Sequence, residues 1–419
     1  MIEVKNLWAY EILDSRAQPT ISVVLELTSG TIGTSGVPSG ASTGSKEAVE
    51  LRDGDLSRYA GRGVLRAVEH INGDVASDLR GRDFASLADF DEALIKLDGT
   101  ANKERIGANA IIGVSMAGAR AFAESEHRSL WRSLSPAGVE PRLPVPHFNI
   151  INGGAHAQNG LDFQEFMIAP LGARTMAEAV RAGAEIYSVL RGELHSRSLG
   201  VGLGDEGGFA PEISSPEAVL GLLVEAIERA GYETGPDGVM IALDPAANGF
   251  YRDSTYHVDG ENLSSSEMIE RYGEMIKRFP IWSLEDGLAE DDRDGWVHLT
   301  ERLGERVQLV GDDLLVTNPN IITEAIAHKM GNAALIKPNQ IGTVTETLEA
   351  MAICRRAGWS QMVSHRSGET IDSFIADLAV AGGCGQIKSG APARGERSAK
   401  YNRLIEIEAT NALPYGRAQ

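Results

Sequence analysis

Six short apolar runs in the second half of the chain each lead to a polar or charged residue. "VMIALD" ends at Asp244, "PIWSLE" at Glu285, "VQLVGD" at Asp312, "AALIK" at Lys337, "QMVSH" at His365 and "GQIK" at Lys388. Successive ends lie 23 to 41 residues apart, about the length of a strand–helix unit with its loops. Parallel strands that each present a polar group at the C-terminal end are how a (β/α)8 barrel builds an active site. A doubly wound sheet shares the alternation. A closed barrel brings more of those ends to one place, and it is the architecture preferred here.

The residues before the barrel read differently. An opening strand pattern, "TISVVLELTSG", and long helical stretches such as "GANAIIGVSMAGARAFAESE" predict a separate, smaller α+β domain. The expected division is 1–135 for that domain and 136–419 for the barrel. One barrel helix is punctuated clearly: Ser215 as cap, Pro216 in the first turn, and Gly231 just past "EAVLGLLVEAIERA".

A formal charge of −20 argues against a nucleic-acid partner, which would want a basic face. No run of about 18 apolar residues is present, so no membrane span is expected. The first residues lack the basic start and apolar stretch of a signal peptide. Cys354 and Cys384 can form neither a disulfide framework nor a zinc pattern, which fits a reducing, cytoplasmic location.

Several acids sit at the ends of apolar runs. Asp244, Glu285 and Asp312 on neighbouring strands would repel one another unless a cation joined them. Ligands of oxygen alone point to Mg²⁺ over zinc. Lys337 ends a buried strand, where a lone ammonium is rarely tolerated. Beside a bound cation and partly desolvated, it is expected to have a lowered pKa and to serve as a general base. A lysine that merely pairs with one of the acids is the structural alternative.

Two glycine-rich loops need separate treatment. "VGLGDEGGFAP" matches G-x-G-x-x-G, but Asp205 and Glu206 inside it would repel a pyrophosphate, and the next helix waits until Pro216. It suits a carboxylate carried close to a ligand. "PSGASTGSKEA" lacks the spacing of a P-loop and reads as a mobile lid or an ordinary surface loop.

Beyond these readings, the chain resembles the enolase (phosphopyruvate hydratase) family along nearly its whole length. The resemblance is carried, in family order, by motifs including "EILDSR", "PSGASTG", "NIINGG", "QEFMI", "GDEGGFAP", "LEDGL", "GDDLLVTN", "IKPNQIGT", "SHRSGET", "GQIK" and "AKYNRL". It implies an irregular (β/α)8-type barrel with a smaller α+β domain, and reversible dehydration of 2-phospho-D-glycerate. It implies Lys337 as the base at C2 and Glu206 as the acid at the C3 hydroxyl. Asp244, Glu285 and Asp312 would hold one Mg²⁺, and Ser42 on the lid would help hold a second that arrives with substrate. His156, Gln164 and Glu165 would line the pocket, and His365, Arg366, Ser367 and Lys388 would hold phosphate and carboxylate. A homodimer or octamer acting on a small-molecule substrate is implied as well.

The family pattern is departed from at Ala17-Gln18, at Gly249 and at Ile371. These leave room for a paralogue acting on a related phosphorylated or phosphonate carboxylic acid. A non-catalytic scaffold is a further alternative. Its mark would be loss of a catalytic residue, and Lys337, Glu206 and the three acids are all present.

Overall fold

A computed structural model describes residues 2–41 and 44–416. Its first part is a four-stranded sheet of β1 (Ile2–Leu13), β2 (Pro19–Leu27), β3 (Ile32–Gly36) and β4 (Asp83–Phe84), in the order β3-β2-β1-β4. The first three strands pair antiparallel, and Ile21, Val23 and Leu25 of β2 are wholly buried. The helix Ala108–Ser125 packs so close to β3 that a Cβ on Gly33 would lie 2.0 Å from the Ala117 carbonyl oxygen. Only glycine fits there.

The second part is a closed barrel. In chain order its strands are β5 (Val145–Asn152), β6 (Glu165–Ala169) and β7 (Met240–Asp244). A small hairpin sheet follows, β8 (Tyr251–Arg252), β9 (Thr255–Val258) and β10 (Glu261–Leu263). The barrel resumes with β11 (Ile281–Glu285), β12 (Gln308–Gly311), β13 (Ala333–Ile336), β14 (Ser360–Ser364) and β15 (Gln386–Lys388), which closes onto β5. All barrel pairs are parallel except those of β6, which runs against both neighbours.

The reversed strand has a direct consequence for the site. Its first residue, Glu165, stands opposite Asp244, the last residue of β7, so a strand's start contributes to the same end of the barrel as the other strands' ends. The six expected ends are as the sequence implied. Asp244, Glu285 and Lys388 terminate strands, and Asp312, Lys337 and His365 each follow one by a single residue. Ser215 caps the helix Pro216–Arg229, accepting from the Ala218 amide, and Gly231 beyond it has φ +84°.

The two parts are joined by capping. The helix Val344–Arg356 leaves four amides unsatisfied at its start, as any helix does. Thr343 Oγ1 accepts from Glu346. Ser115 Oγ, from the first part, accepts from Val344 (2.9 Å), and Asp91 Oδ2, also from the first part, accepts from Thr345 (2.9 Å). Lys103 adds an ion pair to Glu346 at 2.8 Å.

Asp91 is wholly buried, and burial pushes its carboxyl up to about 6 from 3.8. A folded pKa above the unfolded one gives stability that is full below pH 3.8 and is lost as pH rises through 6. Asp91→Asn keeps an acceptor for Thr345 but cannot ionise. From pH 5 to pH 8 the wild type should therefore lose about 1 kcal/mol relative to the variant. Urea midpoints at the two pH values test this; parallel changes in both proteins would refute it.

Candidate active site

Charge is concentrated at the C-terminal mouth of the barrel. Lys388 Nζ lies 2.9 Å from Asp244 Oδ2, 2.8 Å from Glu285 Oε1 and 3.1 Å from Glu165 Oε1, and all four side chains are buried. Burial opposes the charge on Lys388, but the three carboxylates outweigh it and hold its pKa well above the usual lysine value. Glu285 is pushed up, first by burial and then by Asp244. Three parallel strands and the reversed one thus meet around a single ammonium.

Lys337 follows β13 directly, and Pro338 behind it opens a short helical turn. Its amide donates to Thr317 Oγ1 at 2.9 Å, which fixes the backbone, and its ammonium donates to Asp312 Oδ2. The sequence suggested a lowered pKa for Lys337, and this arrangement does the reverse. Burial opposes the charge, but Asp312 outweighs it and raises the lysine, while Asp312 itself is held low against burial by that ammonium. The expectation assumed a cation beside Lys337. Here Asp312 is its partner.

Across the cavity, the loop of Glu206 is tied by a Gly204 amide to Gly208 carbonyl bond of 2.8 Å and opens no helix, so it is not a dinucleotide loop. Glu206 Oε2 accepts from Asn149 Nδ2 at 3.0 Å. His365 Nε2 lies 3.1 Å from the same oxygen, within reach of a hydrogen bond but not aligned for one. His156 Nδ1 stands 3.8 Å from Glu206 and 3.6 Å from Glu165.

Burial pushes His365 down to about 3, so it faces Glu206 as a neutral ring. Burial alone would raise Glu206, yet His365 and then His156 outweigh it and hold its carboxyl well below the usual carboxylate range. Glu165 is pushed well up by burial and then by Glu206. The two neighbouring acids are thus pushed in opposite directions, Glu165 up and Glu206 down.

His156, Gln164, Glu165, Glu206, Asp244, Asp312, Lys337, Ser364, His365, Arg366, Ser367 and Lys388 line one cavity of about 20 Å³. That is room for about one water. Glu285 joins it through Lys388, and Ser42 lies outside the described residues. Arg366 is forked onto Glu47, with Nη1 to Oε2 at 3.0 Å and Nη2 to Oε1 at 3.2 Å. Ser367 Oγ accepts from the Ala41 amide at 2.7 Å and from Arg16 at 3.1 Å, so the described edge of the lid segment already reaches the site.

Sequence reasoning missed Glu47, Asn149 and Arg397, a buried arginine beside His365. Glu47 was visible only as one more acid on a loop, Asn149 as part of an apolar strand. The departures from the family pattern do not enter the cavity. Ile371 is 80% exposed, a Cβ on Gly249 would meet open space, and Ala17 occupies a turn at φ +57°. The larger groove near Thr31, about 960 Å³, is unrelated: its Arg120 and Arg403 are paired with Asp372 and Asp377.

Among the described residues, two groups bring ligand atoms within 4.8 Å of one another: His156 with Glu165 and Glu206, and Asp286 with Asp312 and Asp313. Asp244 and Glu285 are instead paired with Lys388, and Asp312 with Lys337. The donors of these three acids are oxygen alone, and Glu285 Oε2 is buried with no hydrogen-bond partner. Such a set fits a hard divalent cation.

Comparison with known proteins agrees along the whole chain. Residues 4–134 match the family described as enolase, N-terminal domain, and residues 140–414 match enolase, C-terminal TIM barrel domain. A protein named Enolase from Rubrobacter xylanophilus is 54% identical over 410 residues, covering 97% of this chain and 95% of that relative.

Lys388→Met would leave Asp244, Glu285 and Glu165 without their cation. In metal-free buffer at pH 8 the variant should lose on the order of 3–5 kcal/mol, the usual cost of breaking a buried pair. Glu285 and Glu165 already have raised pKa values, so protons can replace the lost charge and the deficit should shrink as pH falls. Urea unfolding at pH 8 and pH 5.5 measures this, and an equal deficit at both would count against it.

Proposed function

This chain belongs to the enolase family, and on that premise we propose that it dehydrates 2-phospho-D-glycerate reversibly to phosphoenolpyruvate, using Mg²⁺. The observation that carries the reading is the convergence of Lys337 and Glu206 on one buried cavity that Asp244 and Asp312 also line and that Glu285 adjoins through Lys388. The 54% identical relative named Enolase supports it. We place the reaction in the cytoplasm, in glycolysis and its reversal, in a homodimer or octamer. No helix of the described residues is long and apolar enough to cross a membrane.

The chemistry asks for removal of a weakly acidic proton next to a carboxylate. Lys337, held as an ammonium here by Asp312, would have to leave that carboxylate to act as the free amine; it then takes the C2 proton, and the C–H electrons delocalise into the carboxyl group. Glu206, which its histidine neighbours hold low here, has to take up a proton in the substrate complex; it then delivers that proton to the C3 hydroxyl, the C3–O bond breaks, water leaves, and the C2–C3 double bond forms. The Arg366 fork can hold a phosphate in the way it now holds Glu47. Asp244, Glu285 and Asp312, with Ser42 for a second ion, would hold Mg²⁺, which when bound stabilises the charge that builds on the substrate carboxyl.

Base and acid act on adjacent carbons in successive steps, so their losses should differ in kind. Lys337→Ala should abolish both phosphoenolpyruvate formation and exchange of the C2 proton in deuterated water. Glu206→Gln should block product formation and keep measurable exchange. Each should lower its step by about 10²–10⁴-fold or more. Near wild-type exchange in Lys337→Ala would make Lys337 structural and sink the assignment.

Turnover should also stop after chelation and dialysis, and return with Mg²⁺. Unchanged turnover in metal-free buffer would exclude the metal reading.

A further inference from the structure

Among the described residues, Arg397 is the largest charged side chain with no exposure at all. It belongs to the helix Gly395–Thr410 and reaches inward beneath the cavity floor. Its Nη1 lies 2.6 Å from His365 Nδ1 and donates to the Arg366 carbonyl at 2.7 Å. Its Nη2 donates to the carbonyls of Ser367 and of Asp205, the latter at 3.0 Å. One guanidinium therefore grips both the loop that carries His365 and the loop that carries Glu206.

The chemistry of these groups leaves His365 little choice. A guanidinium has donors only and does not give up its proton, so His365 Nδ1 beside it must be the accepting nitrogen. The ring's hydrogen then sits on Nε2, which is 3.1 Å from Glu206 Oε2. An ionised carboxylate can only accept, so both ends of the ring call for the same tautomer. The packing is tight enough to hold it there. A Cβ on Gly390 would lie 2.8 Å from Arg397 Cδ, 3.1 Å from His365 Cε1 and 2.7 Å from the Glu206 carbonyl oxygen.

We propose that Arg397 is a positioning residue that locks His365 in the Nε2–H tautomer, so that the ring keeps the positive edge of its Nε2–H bond turned toward Glu206 Oε2, 3.1 Å away. The effect on catalysis rests on the reading of Glu206 as the acid; the tautomer does not. Without the lock, a ring with its hydrogen on Nδ1 turns a lone pair toward the carboxylate and no longer orients it.

The test reads the ring directly. In the Mg²⁺-loaded protein labelled with ¹⁵N-histidine, long-range proton–nitrogen spectra at pH 7.5 should show His365 with a bare, pyridine-like Nδ1 and a protonated Nε2. The signals are assigned by their loss in His365→Gln. A protonated Nδ1 in the wild type overturns the proposal, with no variant required. Arg397→Lys keeps the charge but cannot span both loops. It should give mixed tautomers and lose product formation by about 10²-fold, while C2 exchange through Lys337 persists. Equal loss of exchange and product would mark Arg397 as merely structural, and an unchanged tautomer with wild-type turnover would also refute the role. Should Arg397→Lys fail to fold, the wild-type spectrum decides. If the wild type neither exchanges the C2 proton nor makes product, the reaction assignment fails while the tautomer result stands.

Discussion

Buried charge matched by buried charge is the constraint on which the barrel mouth depends. Removing an ion from water costs several kcal/mol, and only a well-placed partner offsets it. Lys388 meets that requirement with three carboxylates and Lys337 with one. The same groups that make the folded state possible without a metal are those a divalent cation would use. Metal binding at this site would therefore be an exchange of counter-ions more than the filling of a ready-made hole, in keeping with the small cavity volume.

Topology makes this concentration of charge affordable to the chain. Parallel strands bring only their C-terminal residues to the mouth. The reversed β6 adds Glu165 from its start, directly opposite Asp244. Two acids can then flank one lysine from adjacent strands, and Glu165 comes near Glu206 and His156 as well. The first part of the chain contributes at a distance. Asp91 and Ser115 complete the start of the helix that follows Lys337's turn, and Arg16 and Ala41 hold Ser367.

Much of this was legible because strand ends carry a one-residue code. Asp244, Glu285, Asp312, Lys337, His365 and Lys388 each closed an apolar run, and each is at the mouth. The strands β5 and β6 were less visible. "VPHFNIIN" is buried along its full length, so it shows no alternation, and "EFMIA" bears its polar residue at the wrong end for a parallel strand. Protonation states were not legible at all. The pKa of Lys337 depends on whether Asp312 faces it or faces a cation, and the choice between Glu165 and Glu206 depends on histidines brought in from other loops.

Arg397 and Ala17 show why local pattern runs out in two different ways. Arg397 stands in a helix of ordinary polar composition, and only tertiary contact reveals that its head is buried against three segments of chain. Ala17 is visible as a departure from the family pattern, yet its effect depends on a dihedral. At φ +57° an alanine costs roughly 1–2 kcal/mol that a glycine would not. Asp14 holds the turn regardless, accepting from the Arg16 and Gln18 amides at 2.8 Å each. The strain is thus carried by backbone bonds away from the reacting groups, while Arg16 next door still reaches Ser367. The departure bears on the stability of the turn and leaves the chemistry of the mouth intact.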